Sequence, residues 1–368
     1  MSVYDSVIRP ILFQLPTETA HEFGLNALKI GLSSSFLQKR FAQKFVCEEF
    51  GELERFGLKF KNPFGVAAGF DKNAAVANQL CALGFGFVEV GTVTLRPQEG
   101  NPKPRLFRLP PDEALINRAG FNNDGTPAVV ERLKKSRPAN CVLGVNIGKN
   151  KDVPNAEATG NYLASFDLAH AVADYVAVNV SSPNTPNLRE LQKAESLEEL
   201  LGALQKRNIE LNLQNRKNLP LLVKIAPDLE DAEIEAVADI CLRLRLAGII
   251  AANTTVSREN LKTNRSEIER IGQGGLSGKP LQKKSTAVIS KLYRHSKGKL
   301  PIIGVGGIFT AADAFEKIAA GACLLQAYTG FVYQGLTFAR DINFGLAKIL
   351  REKGFQALDE AVGSEAAV

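Results

Sequence analysis

Residues 175 to 187 read YVAVNVSSPNTPN. The apolar run at residues 175–178 predicts a buried strand, which ends by presenting Asn179, Ser181 and Ser182. In a parallel barrel, the carboxyl ends of the strands form the rim at which chemistry is placed. The alternative interpretation is a Ser, Asn and Pro loop that only turns the chain. The rest of the sequence favours the barrel rim.

Seven further apolar runs alternate with spans that are compatible with helices. The predicted strands are residues 64–69, 87–92, 142–148, 175–180, 221–226, 248–253, 301–306 and 323–328, and the helical spans include residues 73–83, 196–213, 231–244 and 310–319. This repeated β/α pattern predicts an α/β fold, a (β/α)8 TIM barrel. A doubly wound sheet is the alternative, but no GxGxxG motif follows the first strand, which weakens a dinucleotide-binding version.

Composition bounds the class of protein. The chain has 368 residues, of which 45% are hydrophobic and 23% charged, enough for one large domain and a small one. The net charge is +6, but the basic residues are scattered, so we expect no nucleic-acid partner. No apolar run reaches the length of a membrane span and the start lacks a signal-peptide pattern, so we expect a protein that is neither integral nor secreted.

Cysteine and histidine usage argues against disulfides and metal. The cysteines are odd in number and have no CxxC pair, which predicts reduced, buried thiols; they are Cys47, Cys81, Cys141, Cys241 and Cys323. The three histidines, His21, His170 and His295, are too dispersed to propose a metal centre.

Residues 1–46 differ from everything that follows. Apolar residues recur there at helical spacing, Pro10 must kink or restart the first helix, and Thr17 opens a second one. We therefore divide the chain into an N-terminal helical segment, residues 1–46, and a barrel domain, residues 47–368. The segment is either a helical cap on the core or a pair of amphipathic helices that dip into a bilayer surface. Its five basic and three acidic residues give a net charge of only +2, so apolar burial would supply most of the anchoring.

Polar or glycine residues follow nearly all of the predicted strands, which indicates a site at one rim. Gly306 and Gly307 end the seventh strand, where barrels hold phosphate on backbone N–H groups, and residues 274–279 supply a second glycine-rich loop. Flexible turns are the alternative for both. Lys224 lies inside an apolar run and needs a negative partner, such as a flavin that becomes anionic on reduction, unless its head reaches solvent. No histidine or carboxylate is an obvious general base, which leaves Ser182.

Taken jointly, these motifs resemble the class 2, quinone-dependent dihydroorotate dehydrogenases over nearly the whole chain. The matching segments are residues 67–72, 116–118, 120–122, 144–150, 179–185, 223–228, 274–280 and 303–307. The resemblance implies an FMN enzyme that oxidises dihydroorotate to orotate, the redox step of pyrimidine synthesis, and passes the electrons to a membrane quinone.

The resemblance also implies roles for individual residues. Ser182 corresponds to the catalytic base. The implied substrate shell comprises Lys72, Asn117, Arg118, Ala119, Gly120, Phe121, Asn179, Asn184, Asn253 and Thr254. The implied flavin site comprises Ala67, Ala68, Gly69, Phe70, Asp71, Thr92, Asn146, Asn179, Lys224, Ala252, Gly278, Gly307, Tyr328 and Thr329. Ala252 departs from the threonine common in the family, and Ala119 replaces a bulkier residue.

By the same resemblance, residues 1–46 open an apolar passage for quinone, with His21 and Arg108 in it. We expect a monomer bound peripherally to lipid on the cytoplasmic side of the cell membrane. Two alternatives remain: a soluble class 1 enzyme that uses fumarate or a nicotinamide, and a flavin-binding module without turnover. The serine at position 182, where class 1 uses cysteine, and the N-terminal extension oppose the former.

Overall fold

The computed structural model describes residues 3–139 and 141–366. Met1 and Ser2 of the predicted N-terminal segment, and Asn140, Ala367 and Val368 of the predicted barrel domain, lie outside the described residues. The strands are β1 (Leu53–Arg55), β2 (Leu58–Phe60), β3 (Phe64–Val66), β4 (Phe87–Val93), β5 (Leu106–Leu109), β6 (Ala114–Asn117), β7 (Val142–Ile147), β8 (Tyr175–Asn179), β9 (Leu221–Ile225), β10 (Gly248–Ala251), β11 (Gly275–Gly278), β12 (Ile302–Val305) and β13 (Leu324–Ala327).

Eight of these strands close into a parallel barrel in the order β3, β4, β7, β8, β9, β10, β12 and β13, after which β13 pairs with β3. They are the eight predicted strands, so the (β/α)8 barrel is confirmed and the open doubly wound sheet is excluded. The strands are buried throughout their lengths, as expected when helices cover a parallel sheet from outside.

Three of the described α-helices precede the first strand, and the others follow the barrel strands and surround them. Their bounds are α1 (Arg9–Gln14), α2 (Thr17–Gly31), α3 (Ser35–Phe45), α4 (Ala77–Ala82), α5 (Thr126–Lys135), α6 (Ala158–His170), α7 (Ala194–Asn215), α8 (Asp231–Arg243), α9 (Arg265–Ile271), α10 (Gln282–Ser296), α11 (Ala311–Ala319), α12 (Thr329–Gln334), α13 (Phe338–Glu352) and α14 (Leu358–Ala361). Helix α4 begins four residues later than predicted. The Asp71 carboxylate accepts hydrogen bonds from the N–H groups of Ala75 and Val76, at 2.7 and 2.8 Å, which holds residues 71–76 in a loop.

The N-terminal helices dock on the carboxyl rim of the barrel. A π-helical turn (Tyr4–Ile8) precedes α1, and the chain changes to α-helix next to Pro10. The Tyr4 hydroxyl donates to Val332 O at 2.6 Å, and Glu18 on α2 pairs with Arg105 at 3.2 Å. The segment therefore covers the mouth of the barrel.

A three-stranded antiparallel sheet, β5–β6–β11, forms a second wall beside the rim. The glycine-rich stretch at residues 274–279 was predicted to be a loop, but Gly275–Gly278 is strand β11, paired with β6. The prediction was wrong because small residues suited to a turn are needed here for close strand packing. A Cβ on Gly275 would lie 2.0 Å from Thr254 Oγ1.

The prediction of five reduced thiols was wrong for one pair. Cys81 on α4 and Cys141 just before β7 form a disulfide, with Cα atoms 6.0 Å apart. Sequence spacing hides this pair because 60 residues separate the two cysteines. Cys47, Cys241 and Cys323 are free and buried, as predicted. Within residues 3–139 and 141–366, no helix is long and apolar enough to cross a membrane, and no cluster of side chains suits a metal ion.

Candidate active site

A polar cavity of about 370 Å³ opens at the carboxyl rim of the barrel. It brings together nearly all the residues predicted to form a site. The predicted residues that line it are Ala67, Ala68, Gly69, Phe70, Asp71, Lys72, Thr92, Asn117, Ala119, Gly120, Phe121, Asn179, Ser182, Asn184, Lys224, Ala252, Asn253, Thr254, Gly278, Gly307, Tyr328 and Thr329. The two that do not line it are Arg118 and Asn146.

The Arg118 side chain faces away from the cavity. Its guanidinium donates to Ile271 O at 2.5 Å and to Pro104 O at 3.2 Å, and lies over the Phe107 ring, 4.7 Å from the centroid. Its side chain therefore fastens the segment that carries Ala119 and Gly120, and the inclusion of Arg118 in the substrate shell stays a prediction that concerns its backbone.

A chain of amides and hydroxyls crosses the floor of the cavity. Asn179 Nδ2 donates to Thr92 Oγ1 at 2.9 Å, and Thr92 Oγ1 donates to Asn146 Oδ1 at 2.6 Å. On the other side, Asn253 Nδ2 donates to Ser181 Oγ at 2.9 Å. Asn146 is fully buried below the cavity wall, and its side chain bonds to Thr92, which lines the cavity. These bonds fix polar groups that come from four different barrel strands or the loops after them.

Ser182 and a set of amides lie on the side of the cavity that faces the β5–β6–β11 sheet. Ser182 Oγ accepts a hydrogen bond from the Asn184 N–H at 3.2 Å. Asn184 Nδ2 donates to Asn117 Oδ1 at 3.0 Å, and Lys72 Nζ donates to Asn122 Oδ1 at 2.8 Å. One cation and several amides therefore share the cavity with the serine, an arrangement that suits a small anionic ligand with amide groups of its own.

Lys72 and His21, which both line the cavity, have altered pKa values. Burial, together with the nearby Arg105 guanidinium, lowers the pKa of Lys72 to about 8, although Glu18 opposes the shift. Burial and the Lys72 ammonium lower the pKa of His21 to about 4. His21 is therefore neutral at physiological pH, whereas Lys72 is mostly charged.

Lys224 reaches the cavity from β9 and has a partner that sequence reasoning missed. Its Nζ lies 4.0 Å from Oε1 of Glu89, a fully buried residue of β4. The cue was present in the sequence, because Glu89 interrupts an apolar run just as Lys224 does. Burial lowers the pKa of Lys224 and the Glu89 carboxylate opposes that shift.

Glycine backbone, which carries no side chain, lines another part of the cavity. Gly307 has φ +73°, and a Cβ there would lie 2.5 Å from Gln282 Cα. Gly278 has φ +104°, and a Cβ there would lie 2.3 Å from Glu113 O. Next to them the Ser277 and Thr329 hydroxyls are 2.8 Å apart. Glycine backbone and hydroxyls fit a phosphate, and Lys224 with the neighbouring amides fits a polar ring, so the donor set suits FMN.

Sequence reasoning also missed the cavity residues that the N-terminal helices contribute. Glu18, Glu22 and Leu25 of α2 line the cavity together with His21. Nothing in the local sequence of α2 indicates which of its faces meets the barrel, so only the docked structure identifies them.

A second, apolar cavity of about 510 Å³ lies between α1, α2 and the barrel rim. It touches the polar cavity, because the two have lining residues in common; these are His21, Leu25, Phe70, Leu106, Leu115 and Tyr328. The His21 and Phe70 rings meet edge to face, with centroids 5.2 Å apart. Arg108 also lines it, and its guanidinium lies 4.7 Å from the Phe13 centroid and donates to Leu15 O at 2.5 Å. His21 therefore stands between the polar and apolar cavities.

The closed barrel and the polar cavity at its carboxyl rim define a (β/α)8-barrel enzyme. The family model described as dihydroorotate dehydrogenase matches residues 52–350. A protein of Christiangramia forsetii named dihydroorotate dehydrogenase (quinone) is 52% identical over 96% of this chain and 100% of its own length. A protein of Corynebacterium glutamicum with the same name is 46% identical over 99% of this chain and 95% of its own length.

A solved structure gives the same assignment. The ligand-free dihydroorotate dehydrogenase of Eimeria tenella has a TM-score of 0.87 and 39% identity, and the match covers 96% of this chain and 100% of that one. The chain belongs to the dihydroorotate dehydrogenase family, in its quinone-dependent class, and is an oxidoreductase.

Proposed function

We propose that the protein oxidises dihydroorotate to orotate with bound FMN and passes the electrons to a membrane quinone, in pyrimidine biosynthesis. The observation that carries the proposal is the junction of the two cavities. A polar cavity suited to a charged substrate touches an apolar cavity suited to a hydrocarbon-rich acceptor, and both meet at His21, Phe70 and Tyr328.

FMN would be held by residues that line the polar cavity or support it. Gly278, Gly307 and Thr329 would take the phosphate, and Lys224 with Asn179 would contact the ring system. The rest of the proposed flavin site is the set that the resemblance implies: Ala67, Ala68, Gly69, Phe70, Asp71, Thr92, Asn146, Ala252 and Tyr328. When bound, FMN supplies a hydride acceptor for the substrate and an electron donor for quinone.

Dihydroorotate would lie among the amides and beside Lys72, whose ammonium complements its carboxylate. The proposed shell also includes Asn117, Arg118, Ala119, Gly120, Phe121, Asn179, Asn184, Asn253 and Thr254. Arg118 belongs to it through its backbone, because its side chain faces away from the cavity. Oxidation forms a C=C bond, because one ring carbon loses a proton while its neighbour loses a hydride. Two electrons and two protons thus leave the substrate, which is what reduction of a quinone to a quinol requires.

Ser182 is the group that we assign to removal of the proton. It lies in the cavity at only 6% exposure, and the hydrogen bond from Asn184 N–H fixes its oxygen. A hydroxyl is a weak base, so its own proton must pass to a neighbour or to solvent as the substrate proton arrives. The fixed orientation of the Ser182 oxygen favours removal of the substrate proton.

The N-terminal segment, residues 1–46, would bring the apolar cavity to the bilayer. Apolar side chains are exposed along its helices; they are Val3, Val7, Ile8, Ile11, Leu15, Phe23, Ile30, Phe36 and Leu37. Exposed apolar faces of this kind suit peripheral contact with lipid. We therefore propose a monomer bound peripherally to the cell membrane on its cytoplasmic side.

A bulky side chain introduced into the apolar cavity tests whether quinone binds there. Gly24 of α2 lines the apolar cavity, and a Cβ built on it has no atom within 4 Å. Gly24→Leu should fill this space and reduce quinone-linked turnover at least tenfold, while anaerobic reduction of the flavin by dihydroorotate stays within about twofold. Gly160→Leu is the matched control. Gly160 also lies in a helix, α6, and a Cβ built on it has no atom within 4 Å, but it lines neither cavity.

The same assay separates the alternatives. Equal turnover of Gly24→Leu and Gly160→Leu with a long-chain quinone would remove the apolar cavity from the electron path. Faster turnover with fumarate or a nicotinamide than with quinone would favour a soluble class 1 activity. A flavin that stays oxidised when dihydroorotate is added would indicate a binding module without turnover.

A further inference from the structure

Glu89 is a carboxylate in the interior of the barrel, below the polar cavity. It is 0% exposed and does not line the cavity itself. Asn146 Nδ2 donates to its Oε1 at 2.8 Å, and the Tyr175 hydroxyl and Gln326 Nε2 each donate to its Oε2 at 2.8 Å. Side chains from three other strands thus point donors at one carboxylate.

The fold makes room for this arrangement. Gly144 of β7 lies opposite Glu89 of β4 and opposite Tyr175 of β8 in the strand register. A Cβ on Gly144 would lie 2.1 Å from Tyr175 Cζ. Only glycine therefore lets the Tyr175 ring lie inside the barrel with its hydroxyl on Glu89.

Lys224 connects this buried group with the cavity. Its ammonium lies 4.0 Å from Glu89 Oε1, and its side chain, 5% exposed, lines the cavity in which FMN is proposed to bind. Burial of an ammonium strongly disfavours its charged form unless an anion is close. The carboxylate is fixed by three donors and is present whether or not the flavin is reduced.

We propose that Glu89 is a positioning residue that keeps Lys224 a cation in both oxidation states of the bound flavin. This inference rests on the proposed binding of FMN. Its consequence is that reduction of the flavin draws no proton onto Lys224. The charge that Lys224 presents to the flavin is then constant, so Lys224 adds nothing to the pH dependence of the reduction potential.

The groups that face Lys224 support this assignment. Burial lowers the pKa of Lys224, and Glu89 is the one charged side chain of the described residues that raises it. Asn179, which pairs with Lys224 in the strand register, and Asn146 and Gln326 near the carboxylate carry no charge. Burial and Glu89 raise the pKa of Tyr175 well above its usual value, so its hydroxyl stays protonated.

The test is the reduction potential of the FMN-loaded protein between pH 7 and pH 9. In the pH range in which reduced flavin is an anion, reduction takes up two electrons and one proton. The equilibrium constant for reduction then changes tenfold per pH unit, which lowers the reduction potential by about 30 mV per pH unit for a two-electron couple. Lys72 titrates in the same range but is present in every variant, so its contribution is common to all of them; apart from that contribution, wild type should show this slope. Glu89→Gln should show about twice the slope, because a neutral Lys224 gains a proton when the flavin becomes anionic.

Controls decide whether the extra proton is on Lys224. Glu89→Asp keeps a carboxylate and should keep a slope near that of wild type. Glu89→Gln/Lys224→Met has no amine and should return to the wild-type slope. An unchanged slope in Glu89→Gln, or a slope that stays doubled in the double variant, would overturn the inference.

Thermal unfolding provides a second readout if Glu89→Gln does not retain flavin. Removal of one partner leaves the other charge buried without a counter-ion. The double variant should therefore unfold at a higher temperature than Lys224→Met, and additive losses would contradict a coupled pair. Wild-type protein that takes up no FMN would refute the proposed function, while this double-mutant cycle would still report on the pair.

Discussion

Substrate affinity should fall as pH rises through the range in which Lys72 loses its proton. Burial and the Arg105 guanidinium lower the pKa of Lys72 to about 8 in the free protein. An anionic ligand binds the ammonium form, so its apparent Kd grows in inverse proportion to the fraction of Lys72 that is charged. With a pKa of 8, the ammonium fraction falls from about nine-tenths at pH 7 to about one-tenth at pH 9. The affinity should therefore drop about tenfold, or about 1.4 kcal/mol.

The assay is a titration of the FMN-loaded protein with orotate, followed by the change in the flavin absorbance, at pH 7, 8 and 9. Lys72→Arg is the matched control, because a guanidinium stays charged throughout this range. Its affinity should be nearly independent of pH, and Lys72→Met should be weak at every pH. Equal wild-type affinity at pH 7 and pH 9, or the same decline in Lys72→Arg, would refute this assignment of Lys72.

Two further predictions concern stability and the flavin site. Burial and the Lys72 ammonium hold the pKa of His21 at about 4, below its usual 6.5. As the pH falls, the unfolded chain therefore binds a proton on His21 before the folded chain does, and the free energy of unfolding decreases from pH 6.5 towards pH 4. The loss should approach about 3 kcal/mol in urea unfolding and should be absent from His21→Phe; parallel curves for the two proteins would contradict it. Gly307→Ala should weaken FMN binding at least tenfold in a fluorescence titration, because its Cβ meets Gln282 backbone at 2.5 Å. Gly354→Ala is the control, because Gly354 also has a positive φ, +84°, but no atom lies within 4 Å of a Cβ built on it, and this substitution should leave FMN affinity unchanged. Equal losses of FMN affinity in the two variants would point to backbone strain alone.

The fold was predictable because its decisive signals are local. Nearly every barrel strand is an apolar run with polar or glycine residues at its carboxyl end, so Asn179, Ser182 and Lys224 could be assigned to one rim before their neighbours were known. Parallel strands bring their carboxyl ends together regardless of the details of packing. The lining residues at the ends of barrel strands follow from that rule, and the resemblance to the family implied most of the others.

Partners across the barrel were not predictable in the same way. Which group faces Lys224 depends on strand register and barrel closure, and Glu89 is 135 positions away in the sequence. The Cys81–Cys141 pair was missed for the same reason. Residues 274–279 were misassigned because glycine serves both turns and closely packed strands. The direction of the Arg118 side chain, which bonds to Ile271 O and Pro104 O, was not predictable either.

Reduction of the bound flavin by dihydroorotate in a single anaerobic turnover tests the central claim most directly. Wild-type protein should take up FMN and lose its visible flavin band when dihydroorotate is mixed in. Ser182→Ala should bind FMN equally well but reduce it about 10² to 10⁴ times more slowly, the usual contribution of a positioned base. Undiminished reduction by Ser182→Ala would contradict the role of the serine, and a colourless wild-type protein that cannot bind FMN would contradict the account as a whole.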